Sequence, residues 1–262
     1  MENVSTVYGP VRSWRVGVSL GVDLLCVNSV CSFRCLYCQL GRINVHTSER
    51  RVFVPTRRVL EDLARSAWRE ADVITFSGSG EPTLAANLGE TVRAVKEMTS
   101  KHVLVLTNSS LLHDAQVRRE LCEADRVFCK LDAADEGTFR RVNRPAAGVT
   151  LRSVVEGIKA FRAEFAGYLG VQTMLLPHNL ACAEGLARLL AEIRPDEVQL
   201  NAPSRPVPRE WSPEARGNLT ADAAHGSLVR RPAPAESARV ERTLSRLTGL
   251  KIVSALPRAV AN

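Results

Sequence analysis

The chain has 262 residues, 45% of them hydrophobic and 24% charged. These proportions belong to a globular protein and exclude wholesale disorder and fibrous repeats. No apolar run reaches the roughly 18 residues that span a bilayer, and the N-terminus lacks the basic-then-apolar pattern of a secretory signal, so the expectation is a cytoplasmic protein. The formal net charge is +7, and residues 1–60 carry eight arginines against three acids. Such a basic segment attracts phosphate groups or forms a solvated face.

In chain order, Gly21–Val27 reads as a first strand and Asn28–Gly41 as a loop holding three cysteines. Thr56 is the expected N-cap of a helix over Arg57–Glu70, with apolar residues at helical spacing. Val73–Phe76 is a second strand that ends in Ser77-Gly78-Ser79-Gly80. A helix over Leu88–Met98 leads to a third strand, His102–Thr107, whose nearly continuous apolar run predicts burial on both faces. A helix over Asp114–Glu123, a fourth strand over Arg126–Asp132, and helices over Glu136–Val142 and Leu151–Phe165 follow. The last repeats are a strand at Tyr168–Leu175, a helix at Cys182–Ile193 and a strand at Glu197–Asn201. Strands alternating with helices predict a parallel sheet with right-handed crossovers. Periodicity alone leaves a doubly wound sheet and most of a (β/α) barrel equally open.

The composition changes after Asn201, where seven of the 13 prolines lie between Pro203 and Pro257. Proline lacks an amide donor and fixes φ, so residues 206–262 read as an extension behind a core of residues 1–205. A late helix near Ala235–Leu247, closed by Gly249, and a short strand at Leu250–Val253 are expected within it.

Cys31, Cys35 and Cys38 are spaced C-x3-C-x2-C. In a reducing compartment such a cluster binds metal or reacts rather than forming disulfides. Three thiolates leave one iron of a cubane without a protein ligand, whereas a closed zinc site takes four ligands. The alternative is therefore zinc with a fourth ligand from His46, Cys26 or elsewhere. Cys122, Cys129 and Cys182 lie in or beside predicted elements and are expected in the core.

Polar residues gather at the strand ends, where open sheets and barrels place their sites. Thr107, Asn108 and Ser109 end the third predicted strand. Lys130 and Asp132 end the fourth and share one face by alternation. A charged pair facing inward is costly unless paired or liganded, so these two are catalytic candidates or a structural ion pair. Gln172 and Thr173, then Gln199 and Asn201, repeat the pattern.

At Cys31, Cys35, Tyr37 and Cys38 the chain resembles the radical S-adenosylmethionine (SAM) superfamily, whose hallmark is C-x3-C-x-aromatic-C. The resemblance implies a partial (β/α)6 barrel of the TIM type and a 4Fe–4S cluster whose open iron chelates SAM. It further implies a low-potential electron donor of flavodoxin or ferredoxin type, and a 5′-deoxyadenosyl radical that abstracts hydrogen from a substrate. Ser77-Gly78-Ser79-Gly80-Glu81-Pro82 corresponds to the family's G-G-E-P segment, which binds the SAM amino group, with Ser79 in place of a glycine. Thr107, Asn108 and Ser109 would meet the SAM ribose or carboxylate, and Gln199 and Asn201 are expected ligand contacts.

A closer resemblance covers about Tyr8 to Pro208. Tyr8-Gly9-Pro10-Val11-Arg12-Ser13-Trp14-Arg15, Tyr37-Cys38-Gln39-Leu40-Gly41 and Gln199-Leu200-Asn201-Ala202-Pro203-Ser204-Arg205-Pro206 look like the Fe–S oxidoreductases related to tRNA 4-demethylwyosine synthase. That enzyme rebuilds a tRNA guanine with pyruvate and a second cluster, whose three cysteines precede the first set. Only Cys26 stands there in this chain, so the wyosine reaction is not carried over. The expectation is a radical SAM enzyme acting on tRNA or another anionic substrate. The alternatives are a glycyl-radical-type activase or peptide-modifying enzyme, and a non-enzymatic, metal-stabilised nucleic-acid-binding protein.

Overall fold

A computed structural model describes residues 4–26, 28–216 and 226–256. Eight strands form one sheet: β1 (Val7–Ser13), β2 (Gly17–Val22), β3 (Val73–Phe76), β4 (His102–Thr107), β5 (Arg126–Lys130), β6 (Tyr168–Met174), β7 (Glu197–Asn201) and β8 (Ile252–Ser254). They lie side by side in chain order. β1 runs antiparallel to β2, and every other pairing is parallel.

Strictly sequential order decides between the two architectures left open above. A doubly wound sheet reverses direction at a switch point. Here the order never reverses, so right-handed crossovers put all the intervening helices on one face. These are α1 (Thr56–Ala64), α2 (Leu88–Thr99), α3 (Ala115–Leu121), α4 (Glu136–Val142), α5 (Leu151–Glu164), α6 (Ala183–Ile193) and α7 (Pro234–Thr248). The sheet curls with its other face concave, and its end strands do not pair. This is the partial (β/α)6 barrel that the resemblance implies.

The two faces separate by alternation along the strands. Leu20, Ile74, Phe76, Val105, Cys129, Val171 and Leu200 point outward into the main core beneath the helices. Val73, Leu104 and Phe128 point inward and, with Val16, Leu106 and Tyr168, fill the floor of the concave side. Val16 belongs to the tight turn between β1 and β2, so that hairpin closes the bottom of the half-barrel.

Several boundaries differ from expectation. The first parallel strand is Gly17–Val22 rather than Gly21–Val27, and Val27 lies outside the described residues. The chain turns at Asp23, whose Oδ1 accepts the Leu25 amide at 2.9 Å. Thr56 is the first residue of α1, not its cap: Pro55 is the N-cap, and Thr56 Oγ1 lies 3.0 Å from Thr91 Oγ1. The helix stops at Ala64, and a 3-10 turn over Trp68–Glu70 follows. Cys129 and Cys182 are buried as expected, but Cys122 is exposed at the end of α3.

Beyond β7, α7 packs on α6 and ends at Gly249 with φ +65°. β8 then pairs in parallel with β7 through Ile252, Val253 and Ser254. The expected irregular stretch falls partly on residues 217–225, outside the described set. Among the described residues, no helix is long and apolar enough to cross a membrane.

Candidate functional site

The cysteine loop leaves the concave side at the C-terminal ends of the strands and is bonded to two neighbours. Val30–Cys31 pairs with Val45–His46. The Val30 amide donates to Ser79 O (2.9 Å), and Val30 O accepts the Glu81 amide (3.0 Å). On the far side, the Arg34 amide donates to Asn143 O, the Leu36 amide to Val142 O and the Ala146 amide to Ser32 O. Phe33 packs edge-on against Phe139. The loop is thus held between the turn after β3 and the segment after α4.

Cys31, Cys35 and Cys38 are free thiols. Burial, then Glu81 and the other two cysteines, push the Cys31 thiol well above its usual range. Burial and Cys38 bring Cys35 to about 12, and burial raises Cys38. Each sulfur also faces an N–H donor. The Phe33 amide (3.4 Å) and Asn108 Nδ2 (3.5 Å) point to Cys31, and Asn143 Nδ2 (3.6 Å) points to Cys35. The Leu40 amide points to Cys38.

Three half-buried soft donors that repel one another when ionised are poorly served by an apolar core and well served by a cationic cluster. Among the described residues, no three His, Cys, Asp or Glu side chains gather on one point as a single metal ion requires. A cubane instead binds each thiolate through a separate iron, so it needs sulfurs set around a space. The fourth ligands considered for zinc are engaged elsewhere: His46 Nε2 lies 3.1 Å from Ser32 O, and Cys26 is buried in the core. The donor set therefore fits a 4Fe–4S cluster on three cysteines.

The turn after β3 lies against this loop because it carries almost no side-chain bulk. A Cβ on Gly80 would stand 1.6 Å from Val30 O, so only glycine permits the bridge between turn and loop. Ser79, buried, donates from Oγ (2.6 Å) and N (3.1 Å) to Asp23 Oδ2. Ser77 Oγ lies 2.7 Å from the Tyr8 hydroxyl. A Cβ on Gly78 would stand 2.5 Å from Asp23 Cγ. Pro82 opens a 3-10 turn over Pro82–Leu84 that Glu81 caps.

Glu81 itself is wholly internal. Its Oε1 accepts from the Thr83 amide and hydroxyl (3.1 and 2.7 Å) and from Thr107 Oγ1 (2.7 Å), and its Oε2 accepts from the Asn108 amide (2.6 Å). The carboxylate thus joins the ends of β3 and β4. Asn108 continues outward to Ser32 Oγ at 2.9 Å, and Ser109 follows with left-handed backbone, φ +70°.

Lys130 and Asp132 meet as an ion pair, Nζ to Oδ1 at 3.1 Å. Asp132 also accepts from the Tyr37 hydroxyl, from Asn143 Nδ2 (2.7 Å) and from the Met174 amide (2.7 Å). Lys130 Nζ is buried, donates no hydrogen bond, and lies 5.0 Å from the centre of the Tyr37 ring. The two predicted catalytic candidates are therefore next to the aromatic residue of the cysteine loop.

Gln199 is farther along the concave face: Oε1 accepts from Arg15 Nε (3.2 Å), and Nε2 donates to Glu197 (2.6 Å). Asn201 Oδ1 accepts the Ala202 amide and shapes the local chain. Two residues reach the site without a sequence signal. Asn143 is brought to Cys35 and Asp132 only by the return of the chain after α4. Arg216, from the extension, pairs with Asp23 Oδ2 at 3.3 Å.

Fold and site together define a half-barrel protein whose three loop cysteines fit an iron–sulfur cluster. The chain belongs to the radical SAM superfamily, whose family model matches residues 25–190. It is 51% identical over 215 residues to a UPF0026 protein of Synechocystis sp., across 82% of this chain and 81% of the relative. It is 35% identical to a UPF0026 protein of Methanocaldococcus jannaschii, across 79% of this chain and 66% of that relative.

Among solved structures, TYW1 with a lysine-pyruvate adduct bound superposes with a TM-score of 0.63 at 14% identity, covering 92% of this chain and 78% of that one. Streptococcus suis SuiB bound to S-adenosylmethionine gives 0.62 at 14%, covering 90% and 50%. At these identities the likeness is one of fold. Family membership makes the protein a SAM-dependent radical enzyme with a 4Fe–4S cluster, and the non-enzymatic alternative is set aside.

Proposed function

We propose that Cys31, Cys35 and Cys38 hold the cluster and that SAM binds between it and the strand ends of β3, β4 and β7. When bound, the cluster supplies the electron that cleaves SAM to a 5′-deoxyadenosyl radical, which takes hydrogen from the substrate. The donor of that electron is a flavodoxin- or ferredoxin-type protein. The chain's own residues supply position and electrostatics. Asn108, Asn143 and the Phe33 and Leu40 amides stabilise negative charge on the sulfurs, a lever that sets cluster potential.

The Ser77–Pro82 turn brings bare backbone to the SAM amino group. Thr107, Asn108 and Ser109 face its ribose or carboxylate, and Gln199 and Asn201 contact ligand from β7. Tyr37 fixes the loop by donating to Asp132. Lys130, held by its ion pair with Asp132, is the residue available to a reacting group. The substrate in this reading is RNA or another anionic molecule.

The observation that carries the proposal is the set of three half-buried thiols, each met by an N–H, on a loop bridged to a glycine turn that tolerates no Cβ. Protein reconstituted with iron and sulfide without oxygen, then reduced, is expected to release 5′-deoxyadenosine from SAM. Cys31→Ala, Cys35→Ala and Cys38→Ala should each lose the cluster absorbance, while Cys122→Ala retains it. About four irons per chain with no SAM cleavage would refute the reading.

A further inference from the structure

The concave face carries a polar row beside the cysteine loop and the glycine turn. Lys130, Gln172 and Gln199 are register partners on β5, β6 and β7, adjacent across the sheet. They point inward, because Cys129, Val171, Val198 and Leu200 beside them point outward into the core. Arg15 reaches this row from the β1–β2 turn, on the opposite side of the half-barrel. Its Nε donates to Gln199 Oε1 at 3.2 Å. With the Gln172 amide turned as its neighbours require, Gln172 Oε1 accepts from Arg15 Nε at 2.9 Å and from a terminal guanidinium nitrogen at 2.6 Å. The Trp14 ring stacks 4.7 Å from the guanidinium carbon.

What is unusual is the company this cation keeps. Among the described residues, Arg15 forms no ion pair: its partners are two neutral amide oxygens and an aromatic ring. The charged group that acts on it is another cation, Arg205. Burial first, and then Arg205, lower the Arg15 pKa to about 10, so it remains charged at neutral pH. Arginine in folded proteins is ordinarily paired with a carboxylate when it leaves water. A guanidinium fixed by neutral groups and facing a like charge is a preorganised receptor for an oxyanion, which it grips through two parallel N–H bonds.

The row also returns to the cysteine loop at both ends. Lys130 lies 5.0 Å from the Tyr37 ring, and an Arg205 terminal nitrogen donates to Gln39 Oε1 at 2.9 Å. Tyr37 and Gln39 flank Cys38. The ring of cationic and amide groups therefore opens onto the third cluster ligand.

We infer that Arg15, Gln172, Gln199 and Lys130 form an oxyanion subsite that holds a phosphate or carboxylate of the substrate within the half-barrel, in front of the cluster. The inference rests on the radical SAM reading above for its placement, and on the guanidinium without an acid for its chemistry. It narrows the substrate to a molecule whose reacting carbon lies close to an anionic group that fits inside the barrel.

The test is calorimetric titration of cluster-loaded protein, without oxygen and at constant ionic strength, with inorganic phosphate in one arm and malonate in the other. Saturable binding is expected in one arm and identifies which oxyanion the site takes. Arg15→Gln should weaken it at least tenfold. Gln172→Glu places a carboxylate against Arg15 and should abolish binding while supplying that cation with an internal partner, so a folding defect in the first variant does not decide the matter. Arg57→Gln, an exposed residue paired with Glu61 on α1, should bind like the parent. Failure of both anions to saturate, or equal affinity in Gln172→Glu, would overturn the subsite. So would an anion that competes with SAM. The titration needs neither reductant nor turnover: SAM cleavage without Arg15-dependent binding overturns the subsite alone, and binding without SAM cleavage overturns the functional reading alone.

Discussion

Glu81 and Ser79 hold the turn after β3 in different ways. The carboxylate of Glu81 is buried and surrounded by four donors from Thr83, Thr107 and Asn108. Burial pushes its pKa up while these bonds pull it down. Its effect on a ligand therefore passes through the strand ends it joins. Replacing it with glutamine would turn an acceptor into an amide whose N–H₂ faces donors. Leaving buried donors unmet costs about 1–3 kcal/mol. Glu81→Gln is expected to lose that much stability in urea unfolding and to weaken SAM binding with it, and an unchanged unfolding midpoint would show that the network does not hold the turn. Ser79, where the family pattern has glycine, spends its hydroxyl on Asp23. The substitution belongs to a local network with Arg216, and a hydroxyl committed to Asp23 is not offered to ligand.

At the scale of elements, the strands that could be read directly were those whose sequence is uniform. His102–Thr107 and Glu197–Asn201 appear with the expected bounds, as does the helix Glu136–Val142, capped by the Asp135 side chain. The strand β1 escaped because Gly9, Pro10 and Arg12 break its pattern, and it is an edge strand with a register shift between Tyr8 and Val11. β2 was displaced because the apolar run continues past Asp23 through Leu24, Leu25 and Cys26, while a carboxylate-capped turn ends the strand before it. The cysteine loop was legible from spacing alone. Asn143 was not, nor was the meeting of Arg15 with Gln172, because topology rather than proximity in sequence brings these residues together.

The extension makes a contact of the same kind. Arg216 and Asp23 form a buried pair, and Arg216 also donates to Ser5 O at 2.9 Å and lies over the Tyr8 ring. Removing one partner of a buried pair typically costs about 3–5 kcal/mol, because the other charge is left without compensation. Burial already holds the Asp23 pKa above the usual carboxylate range in the folded protein. A raised folded-state pKa means that protonation favours the fold: the contribution is complete below the unfolded pKa and is lost as pH rises through the folded value. Without Arg216 that value rises further. The loss of stability in Arg216→Ala should therefore be large at pH 7 and shrink toward pH 4, as protonation of Asp23 removes the uncompensated charge. Urea unfolding of both proteins at the two pH values measures this, and a loss independent of pH would mean that the pair is not what docks the extension.

For the whole molecule, the basic character of the first 60 residues takes on a different meaning once each charge is located. Arg15 lies in the barrel. Arg50 is paired with Glu120 and Arg57 with Glu61. Arg34 donates to Ile43 O, and Arg58 donates to Val4 O. Besides Arg34, the exposed arginines of this segment without an ion pair among the described residues are Arg12, Arg42 and Arg51, and Arg51 stacks on Phe53. Half of the segment's eight arginines, Arg15, Arg50, Arg57 and Arg58, are therefore engaged with partners within the protein.

This bounds how RNA would be held. Each phosphate contact to a single strand contributes about −0.7 to the slope of log affinity against log salt. Arg12, Arg42 and Arg51, exposed with neither an ion pair nor a hydrogen bond to a backbone carbonyl such as Arg34 makes, then predict a slope of about −2 from this segment, far shallower than eight would give. Filter binding of unmodified tRNA between 50 and 200 mM salt, on the parent and on Arg12→Gln/Arg42→Gln/Arg51→Gln, checks it. The triple variant should bind more weakly and with a slope closer to zero. A steep slope that survives the triple change would place the RNA on another surface. No binding at any salt would leave the half-barrel to a small anionic substrate, for which the interior arginine rather than the surface charge selects.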